Sequence, residues 1–124
     1  MNRPHKNLVL WKEAVVLCKI TYAFCGNLPA DEKFGMTSQI KRCVVSVPAN
    51  IAEGAARSSQ KEFNRFLHIS GGSLSELDAL IELCGELGMG NKKQSEMIQE
   101  QINKVSALLN GLIKKLKINI GAEL

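Results

Sequence analysis

Apolar residues recur along this chain at alternating intervals of three and four positions, which keeps them on one face of a helix. The spacing holds over four separate runs, and the third is the most regular. The runs are Leu8, Trp11, Val15, Cys18, Tyr22 and Cys25; Met36, Ile40, Cys43, Val47 and Ile51; Phe63, Leu67, Ser70, Leu74, Leu77, Ile81 and Cys84; and Ile98, Ile102, Val105, Leu109, Leu112 and Leu116. The pattern predicts four helices, over residues 8–26, 35–57, 59–88 and 92–119.

The connections between the runs are short and contain residues that begin or end helices. Pro29 disfavours the helical conformation at the residue before it, so we expect it to end the first helix. Asp31 or Thr37 is expected to cap the second helix. Ser58 or Ser59 is expected to open the third helix, and Glu62 follows Ser59 at the spacing of a capping box.

Two features interrupt the helical runs. Pro48 removes one backbone hydrogen bond and crowds the preceding turn, so the second helix is expected to bend near Ser46. Gly71 and Gly72 cost a helix roughly 1 kcal/mol each, but the register continues through them and predicts an unbroken third helix. The stretch Gly88-Met89-Gly90-Asn91 is expected to end that helix.

Helices joined by short turns run antiparallel to their neighbours. A chain of 124 residues encloses a single core, and an apolar period near 3.5 favours shallow, left-handed crossing. The predicted fold is therefore an all-α, antiparallel, up-down-up-down, left-handed four-helix bundle. It has a second helix kinked at Pro48 and forms one domain spanning residues 1–124.

The helices carry more apolar residues than one seam requires. Val9, Val16, Ile20 and Phe24 form a second stripe on the first helix, and the third is widened by Phe66, Ile69, Leu80, Leu83 and Leu87. If some of this surface stays exposed, it marks an interface. Burial of the whole set inside one protomer is the alternative.

Charge is unevenly distributed along the chain, although the net charge is only +4. The part from Lys33 to His68 is basic and the part from Ile69 to Glu100 is acidic, which suits self-association or a charged partner. No apolar run approaches the roughly 20 residues needed to span a bilayer, and the N-terminal segment has no apolar stretch behind its charges. We therefore expect a cytoplasmic protein that does not associate with membranes.

The residues that catalysis or metal binding would need are missing. The two histidines, His5 and His68, do not stand three residues after a glutamate, as di-metal bundles require. Arg65 precedes His68 by three residues, whereas helical-bundle ribonucleases usually have four to six. The cysteines lack C-x-x-C spacing and are expected to be reduced core thiols: Cys18, Cys25, Cys43 and Cys84. The sequence predicts no catalytic residue, no cofactor and no metal, and so no enzyme.

Basic residues form the remaining candidate chemistry. Lys61, Arg65 and His68 share one face of the third helix, and Arg57 lies one turn upstream. With two further clusters, the candidate nucleic-acid contacts are Lys41, Arg42, Arg57, Lys61, Arg65, His68, Lys114, Lys115 and Lys117. An ordinary solvated helix face is the alternative for each cluster. An oligomer would multiply phosphate contacts that are weak in a monomer.

Several motifs occur in the order known from one protein family. They are Leu8-Val9-Leu10-Trp11-Lys12; Thr37-Ser38-Gln39-Ile40-Lys41-Arg42-Cys43-Val44-Val45-Ser46-Val47-Pro48-Ala49-Asn50-Ile51-Ala52-Glu53-Gly54; Lys61-Glu62-Phe63 with Phe66-Leu67; and Gly72-Ser73-Leu74-Ser75-Glu76-Leu77. Over about residues 7 to 115 the chain resembles the four-helix proteins encoded in intervening sequences of bacterial 23S ribosomal RNA genes. It is also similar to the accessory variability protein of diversity-generating retroelements.

The resemblance implies a closed homo-oligomer, a homopentameric barrel, without catalytic activity. The retroelement relatives use a basic surface to bind nucleic acid and a reverse transcriptase, so it also implies RNA or DNA and a nucleic-acid-processing protein as partners. Within the family motif, Pro48, Asn50, Glu53 and Gly54 are expected to serve structure. Asn50 and Glu53 would satisfy backbone groups freed by Pro48, or pair with Arg42 or Arg57 across an interface.

Two functions follow from these observations. The first is a non-enzymatic, ring-forming, nucleic-acid-binding accessory or scaffold protein. The second is a protein-protein assembly module without a nucleic-acid role, docking through the exposed apolar stripe or the acidic region around Glu76, Glu82 and Glu86.

Overall fold

The computed structural model describes the backbone of residues 1–123 and the side chains of residues 1–121. These residues form four α-helices: α1 (Val9–Cys25), α2 (Met36–Ala55), α3 (Gln60–Glu86) and α4 (Lys92–Glu123). Two short 3-10 helices, Pro4–Asn7 and Ala30–Glu32, precede α1 and α2. No β-strand occurs within residues 1–123, which confirms the prediction of an all-α fold with four helices.

Each α-helix packs against two others in cyclic order, α1 on α2, α2 on α3, α3 on α4 and α4 on α1. Residues that face each other across these contacts follow opposite chain order in the two helices. The pairs are Cys18 with Val44 and Tyr22 with Lys41; Val47 with Ser70 and Cys43 with Ser73; and Glu13 with Gln101 and, in the turn just after α1, Asn27 with Gln94. Between α3 and α4, one cleft is lined by Gly71 and Leu109 and another by Gly85 and Ser95.

The core face of α1 differs from the predicted one. Its buried positions are spaced four, three, four and three: Leu10, Ala14, Leu17, Thr21 and Phe24. Of the predicted stripe, Tyr22 is 45% exposed and only Cys25 is buried. The other four members, Leu8, Trp11, Val15 and Cys18, are half-buried at its edge. The buried stripe includes a small residue, Ala14, and a polar one, Thr21. The larger apolar residues therefore lie beside the buried face of α1, and the apolar spacing follows them.

The apolar stripes predicted for the other three helices are confirmed. In α2, α3 and α4 almost every predicted position is buried, and only Met36, Phe63 and Leu112 are half-buried. Helix α3 runs unbroken through Gly71 and Gly72, as the register predicted. Eight residues of α3 are buried, among them Leu67, Leu74 and Ile81. They hold the helix to the core around and beyond the glycines, so tertiary packing outweighs the local propensity cost.

Helix α2 contains Pro48 in its interior and spans the proline as one helix. A proline at this position deprives the Val44 carbonyl of its intrahelical donor. The Cys18 thiol of α1 supplies a replacement, at 3.4 Å between Sγ and the Val44 oxygen. Asn50 donates instead to the Ser46 backbone oxygen and Oγ, at 2.8 and 3.0 Å. The carbonyl that Pro48 frees therefore accepts its hydrogen bond from a neighbouring helix. The prediction that Asn50 fills this role is wrong.

The ends of the helices agree with the sequence at α3 and differ at α2. Ser59 caps α3, because its Oγ accepts a hydrogen bond from the Glu62 backbone N–H at 3.1 Å. At α2 the N-cap is Gly35 and no side chain caps it. Neither Asp31 nor Thr37 has the predicted role, since Asp31 lies in the preceding 3-10 helix and Thr37 is already inside α2.

The turn after α3 has the geometry that its glycines predict. Gly88 has φ of 69°, a left-handed value that favours glycine. The backbone N–H groups of Met89 and Gly88 bond back to the carbonyls of Cys84 and Gly85, at 2.8 and 3.1 Å. This pair of bonds is a Schellman motif and ends the helix.

Candidate nucleic-acid interface

Basic residues distant in sequence gather where α1 begins. Because facing residues follow opposite chain order, the start of α1, the end of α2, the start of α3 and the end of α4 lie at this end of the molecule. The stretches 1–12, 53–68 and 110–123 contain nine lysines and arginines against three glutamates. We call this region the basic end. Its cations are Arg3, Lys6, Lys12, Arg57, Lys61, Arg65, Lys114, Lys115 and Lys117.

The opposite end of the molecule has a small excess of acid. The stretches 19–36 and 82–96 contain four lysines against five carboxylates. We call this region the acidic end. Its carboxylates are Asp31, Glu32, Glu82, Glu86 and Glu96. The two ends of the helix assembly therefore differ in charge, and the difference directs a polyanion toward the basic end.

Two arginines of the basic end share one aromatic ring. The guanidinium carbons of Arg57 and Arg65 lie 4.9 and 5.0 Å from the centroid of the Phe66 ring. Both arginines are exposed, whereas Phe66 is buried. The cation–π contacts restrict two long side chains at the surface. The guanidinium groups can therefore lie no more than about 10 Å apart, which suits contact with one phosphodiester segment.

The predicted stripe on α3 is exposed to solvent along its length. Lys61, Arg65 and His68 are all exposed, and within residues 1–121 none of them forms a salt bridge. Arg57 is paired with Glu53 at 2.8 Å, with both side chains about half exposed. A surface pair of this kind contributes at most about 1 kcal/mol and yields readily to a phosphate. All three residues and Arg57 remain available as contacts.

The lysines near the end of α4 belong to the same basic end. Lys114, Lys115 and Lys117 are exposed, while Leu116 between them is buried and anchors this part of the helix. The last turn of α4 contains no basic residue, so these lysines gain little from the helix dipole. An ordinary solvated helix face is the alternative to phosphate contact for them.

The candidates on the first half of α2 lie apart from the basic end. Lys41 is half-buried, and its Nζ lies 4.9 Å from the centroid of the Tyr22 ring. Arg42 is exposed and lines a shallow cleft with Glu76 on the α2–α3 side. The structure thus brings seven of the nine candidates to one end and leaves Lys41 and Arg42 outside it. Sequence reasoning missed Arg3, Lys6 and Lys12, since nothing local connects them with Arg57 or Lys114.

Gly54 explains how α2 approaches α3 beside the basic end. A Cβ atom at this position would lie 2.7 Å from Phe66 Cβ and 2.9 Å from Phe63 Cδ1, which is closer than packed atoms allow. Glycine is therefore required by the contact and not by its backbone angles. Glu53 pairs with Arg57 within α2, one helical turn away. The close contact gives Gly54 a packing role, whereas Glu53 pairs within its own helix and not across an interface.

The four cysteines are free thiols in the core or at its edge. Burial raises the pKa of Cys18 to about 11 and the pKa of Cys43 to about 12. Burial also raises the pKa of Cys25 and of Cys84. All four thiols are therefore protonated near neutral pH. Within the described part of the chain, no cluster of three or more His, Cys, Asp or Glu side chains is arranged to hold a metal ion.

The helices of residues 1–123 include none that is both long and apolar enough to cross a membrane. Comparison with known proteins identifies a family and a similar solved structure. The model of the 23S rRNA-intervening sequence protein family matches residues 6–111. A solved structure of a protein of unknown function from the S23 ribosomal protein family of Bacteroides thetaiotaomicron is similar, with a TM-score of 0.78 and 25% identity. The likeness covers 86% of this chain and 96% of that one. Among curated proteins, none matches.

Proposed function

Since this chain belongs to the family of 23S rRNA-intervening sequence proteins, we propose that it is a cytoplasmic, non-enzymatic, ring-forming bundle protein that binds RNA or DNA as an accessory or scaffold. The observation that carries the proposal is the basic end, where four helix termini bring nine cations together against three carboxylates. A cytoplasmic location agrees with four unpaired cysteines, because the cytosol keeps thiols reduced.

The proposal includes the detailed form of the fold. We take the chain to be one antiparallel, up-down-up-down, left-handed bundle domain with α2 bent at Pro48. The opposite chain order of facing residues at Val47 and Ser70, and at Glu13 and Gln101, supports the antiparallel arrangement. The use of the Cys18 thiol as donor to the Val44 carbonyl supports a local departure from regular helix at the proline.

Exposed apolar side chains support self-association into a ring, for which we take the homopentamer as the expected form. Large apolar residues are 39% to 59% exposed on three helices: Val9 and Val16 on α1, Val45 on α2, and Ile69, Leu83 and Leu87 on α3 or at its end. Where such residues form one contiguous patch, the patch usually marks an interface. In a ring, each copy adds its own basic end, and the affinity for a long polyanion rises steeply with the number of phosphates engaged.

Charge reversal at the two ends tests the nucleic-acid role. The variant Lys61→Glu with Arg65→Glu changes the basic end. Lys92→Glu with Lys93→Glu changes the net charge equally at the acidic end. In gel-shift titrations with structured RNA and DNA, we expect the first pair to weaken binding at least tenfold and the second to have little effect. Equal weakening in both variants, or no binding by the unmodified oligomer, would contradict the proposal.

Light scattering of the purified chain, with and without RNA, tests the ring. We expect a particle several times the 13.6 kDa of one chain, unchanged in subunit number when RNA is added. A monomer at high protein concentration would remove both the ring and the gain in affinity that depends on it.

A protein-protein assembly module without a nucleic-acid role is the second candidate. The observation that favours it is the proximity of exposed Leu83 and Leu87 to Glu82 and Glu86 near the end of α3, an apolar patch bordered by acid. This candidate predicts an oligomer that binds neither RNA nor DNA, together with a protein partner retained after nuclease treatment. Recovery of RNA alone would count against it.

A further inference from the structure

An aromatic pair lies at the basic end, outside the stripe on α3. His5, in the 3-10 helix Pro4–Asn7, and Trp11, in the first turn of α1, have ring centroids 4.8 Å apart and planes inclined at 64°. Both side chains are half-buried. Trp11 packs on one side against the core, so the pair presents its remaining aromatic surface to solvent.

The indole nitrogen of Trp11 is not among the fully buried polar atoms. No group among residues 1–121 accepts a hydrogen bond from it, and the buried polar atoms that lack partners in that range are Thr21 Oγ1 and Asn64 Oδ1. A tryptophan that only closed the core would typically have its N–H bonded or its ring covered. His5 covers part of the ring without adding to the core, because the 3-10 helix has no buried residue.

Cations neighbour both members of the aromatic pair in the chain. Arg3 and Lys6 lie on either side of His5 in the chain, and Lys12 follows Trp11. All three are exposed, and within residues 1–121 none of them forms a salt bridge. Aromatic surface among unpaired cations is the combination with which proteins hold single strands, since a base stacks on the ring while the cations follow the phosphates.

We propose that the His5–Trp11 pair stacks an unpaired nucleobase, so that the nucleic acid bound at the basic end is single-stranded where it meets α1. The inference rests on the proposed nucleic-acid role and specifies its substrate. In a duplex the bases are stacked on each other and cannot reach the ring, whereas a loop or a single strand offers a free base face. The cations alone would not distinguish the two forms in this way.

Tryptophan fluorescence reports on this site directly, because Trp11 is the single tryptophan of the chain. Titrating the full chain with a single-stranded oligouridylate is expected to quench Trp11 emission, and the quenching should be reversed by salt. A duplex RNA of the same length is expected to bind without comparable quenching. Equal quenching by both forms, or none by the single strand, would overturn the stacking proposal.

Substitutions separate stacking from charge. Trp11→Leu keeps an apolar side chain against the core and removes the ring, and we expect single-strand affinity to fall about fivefold or more while duplex affinity changes less than about twofold. His5→Ala leaves the core untouched and should act in the same direction, which covers the case of an unstable Trp11 variant. The control is Phe34→Ala, a 90% exposed aromatic beside Lys33 at the acidic end, with no expected effect.

The outcomes distinguish this inference from the function on which it rests. Salt-dependent binding that does not discriminate between single strand and duplex, and is insensitive to Trp11→Leu and His5→Ala, would overturn the stacking site and leave the nucleic-acid role intact. Absence of binding to either form would overturn both.

Discussion

At the residue scale, the identity of residue 54 is determined by the side chains that pack against it. Gly54 is set by its contact with Phe63 and Phe66, and the contact in turn places Phe66 under Arg57 and Arg65. The sequence marked Gly54 only as part of a motif. Its steric reason depends on a helix that follows in the chain, so it could not be read from local pattern.

Gly54→Ala is expected to destabilise the protein by about 1 to 3 kcal/mol, because the added methyl overlaps the Phe66 Cβ. Urea unfolding measures the change. The matched control is Gly72→Ala in α3, where an added Cβ meets nothing within 4 Å. That variant should gain up to about 1 kcal/mol from helix propensity. Equal effects at both positions would contradict the steric explanation.

Alkaline pH should destabilise the fold through the buried thiols. An unfolded cysteine ionises near its ordinary pKa of 9.0, whereas the folded pKa is about 11 for Cys18 and about 12 for Cys43. The folded state therefore holds these protons more tightly. Their contribution to the free energy of unfolding is fully present below pH 9 and is lost as the pH rises toward the folded pKa values. Each thiol adds a slope of up to about 1.4 kcal/mol per pH unit. Urea midpoints measured across this range should fall less steeply in Cys18→Ser than in the unmodified chain.

At the element scale, apolar spacing predicted three of the four helix faces and failed on α1. In α3 and α4 the core positions are apolar almost without exception, so periodicity identifies them. In α1 the core includes Ala14 and Thr21, while Trp11 and Val15 at its edge are larger. Hydrophobicity along the chain cannot distinguish a core position that holds a small residue from a surface position. Which face of α1 is buried depends on the helices that pack against it.

The hydrogen bond between α1 and the interrupted turn of α2 is expected to be energetically coupled to Pro48. Cys18→Ala leaves the Val44 carbonyl without its donor and should cost about 1 kcal/mol. In a Pro48→Ala background the backbone N–H of residue 48 can serve that carbonyl, so the same substitution should cost much less. A double-mutant cycle on urea unfolding measures the coupling. Additive effects would show that the thiol does not compensate for the proline.

At the scale of the whole molecule, the structure converts a sequence asymmetry into a molecule with a basic and an acidic end. Arg3, Arg57 and Lys114 are separated by more than 50 residues each and lie at one end because facing helices follow opposite chain order. The sequence identified most of these residues as candidates. The sequence could not show that these residues lie together, nor that Lys41 and Arg42 lie outside the basic end. Distances between charges on different helices depend on how the helices pack.

Self-association should depend on the exposed apolar residues near the end of α3. Leu83→Glu with Leu87→Glu places charge on side chains that are 44% and 58% exposed, so folding should persist while the oligomer dissociates. Gln99→Glu with Asn103→Glu adds the same charge at exposed positions of α4 and serves as the control. Sedimentation velocity distinguishes the species. An intact oligomer in the first variant would exclude this patch from the interface.

The salt dependence of RNA binding tests the central claim, that phosphates are bound at the basic end. Neutralising Lys114 and Lys115 with glutamine should reduce the slope of log affinity against log salt by about one for each lysine that neutralises a phosphate. Neutralising Lys92 and Lys93 in the same way should leave the slope unchanged. Slopes that fall equally in both variants, or in neither, would contradict the account.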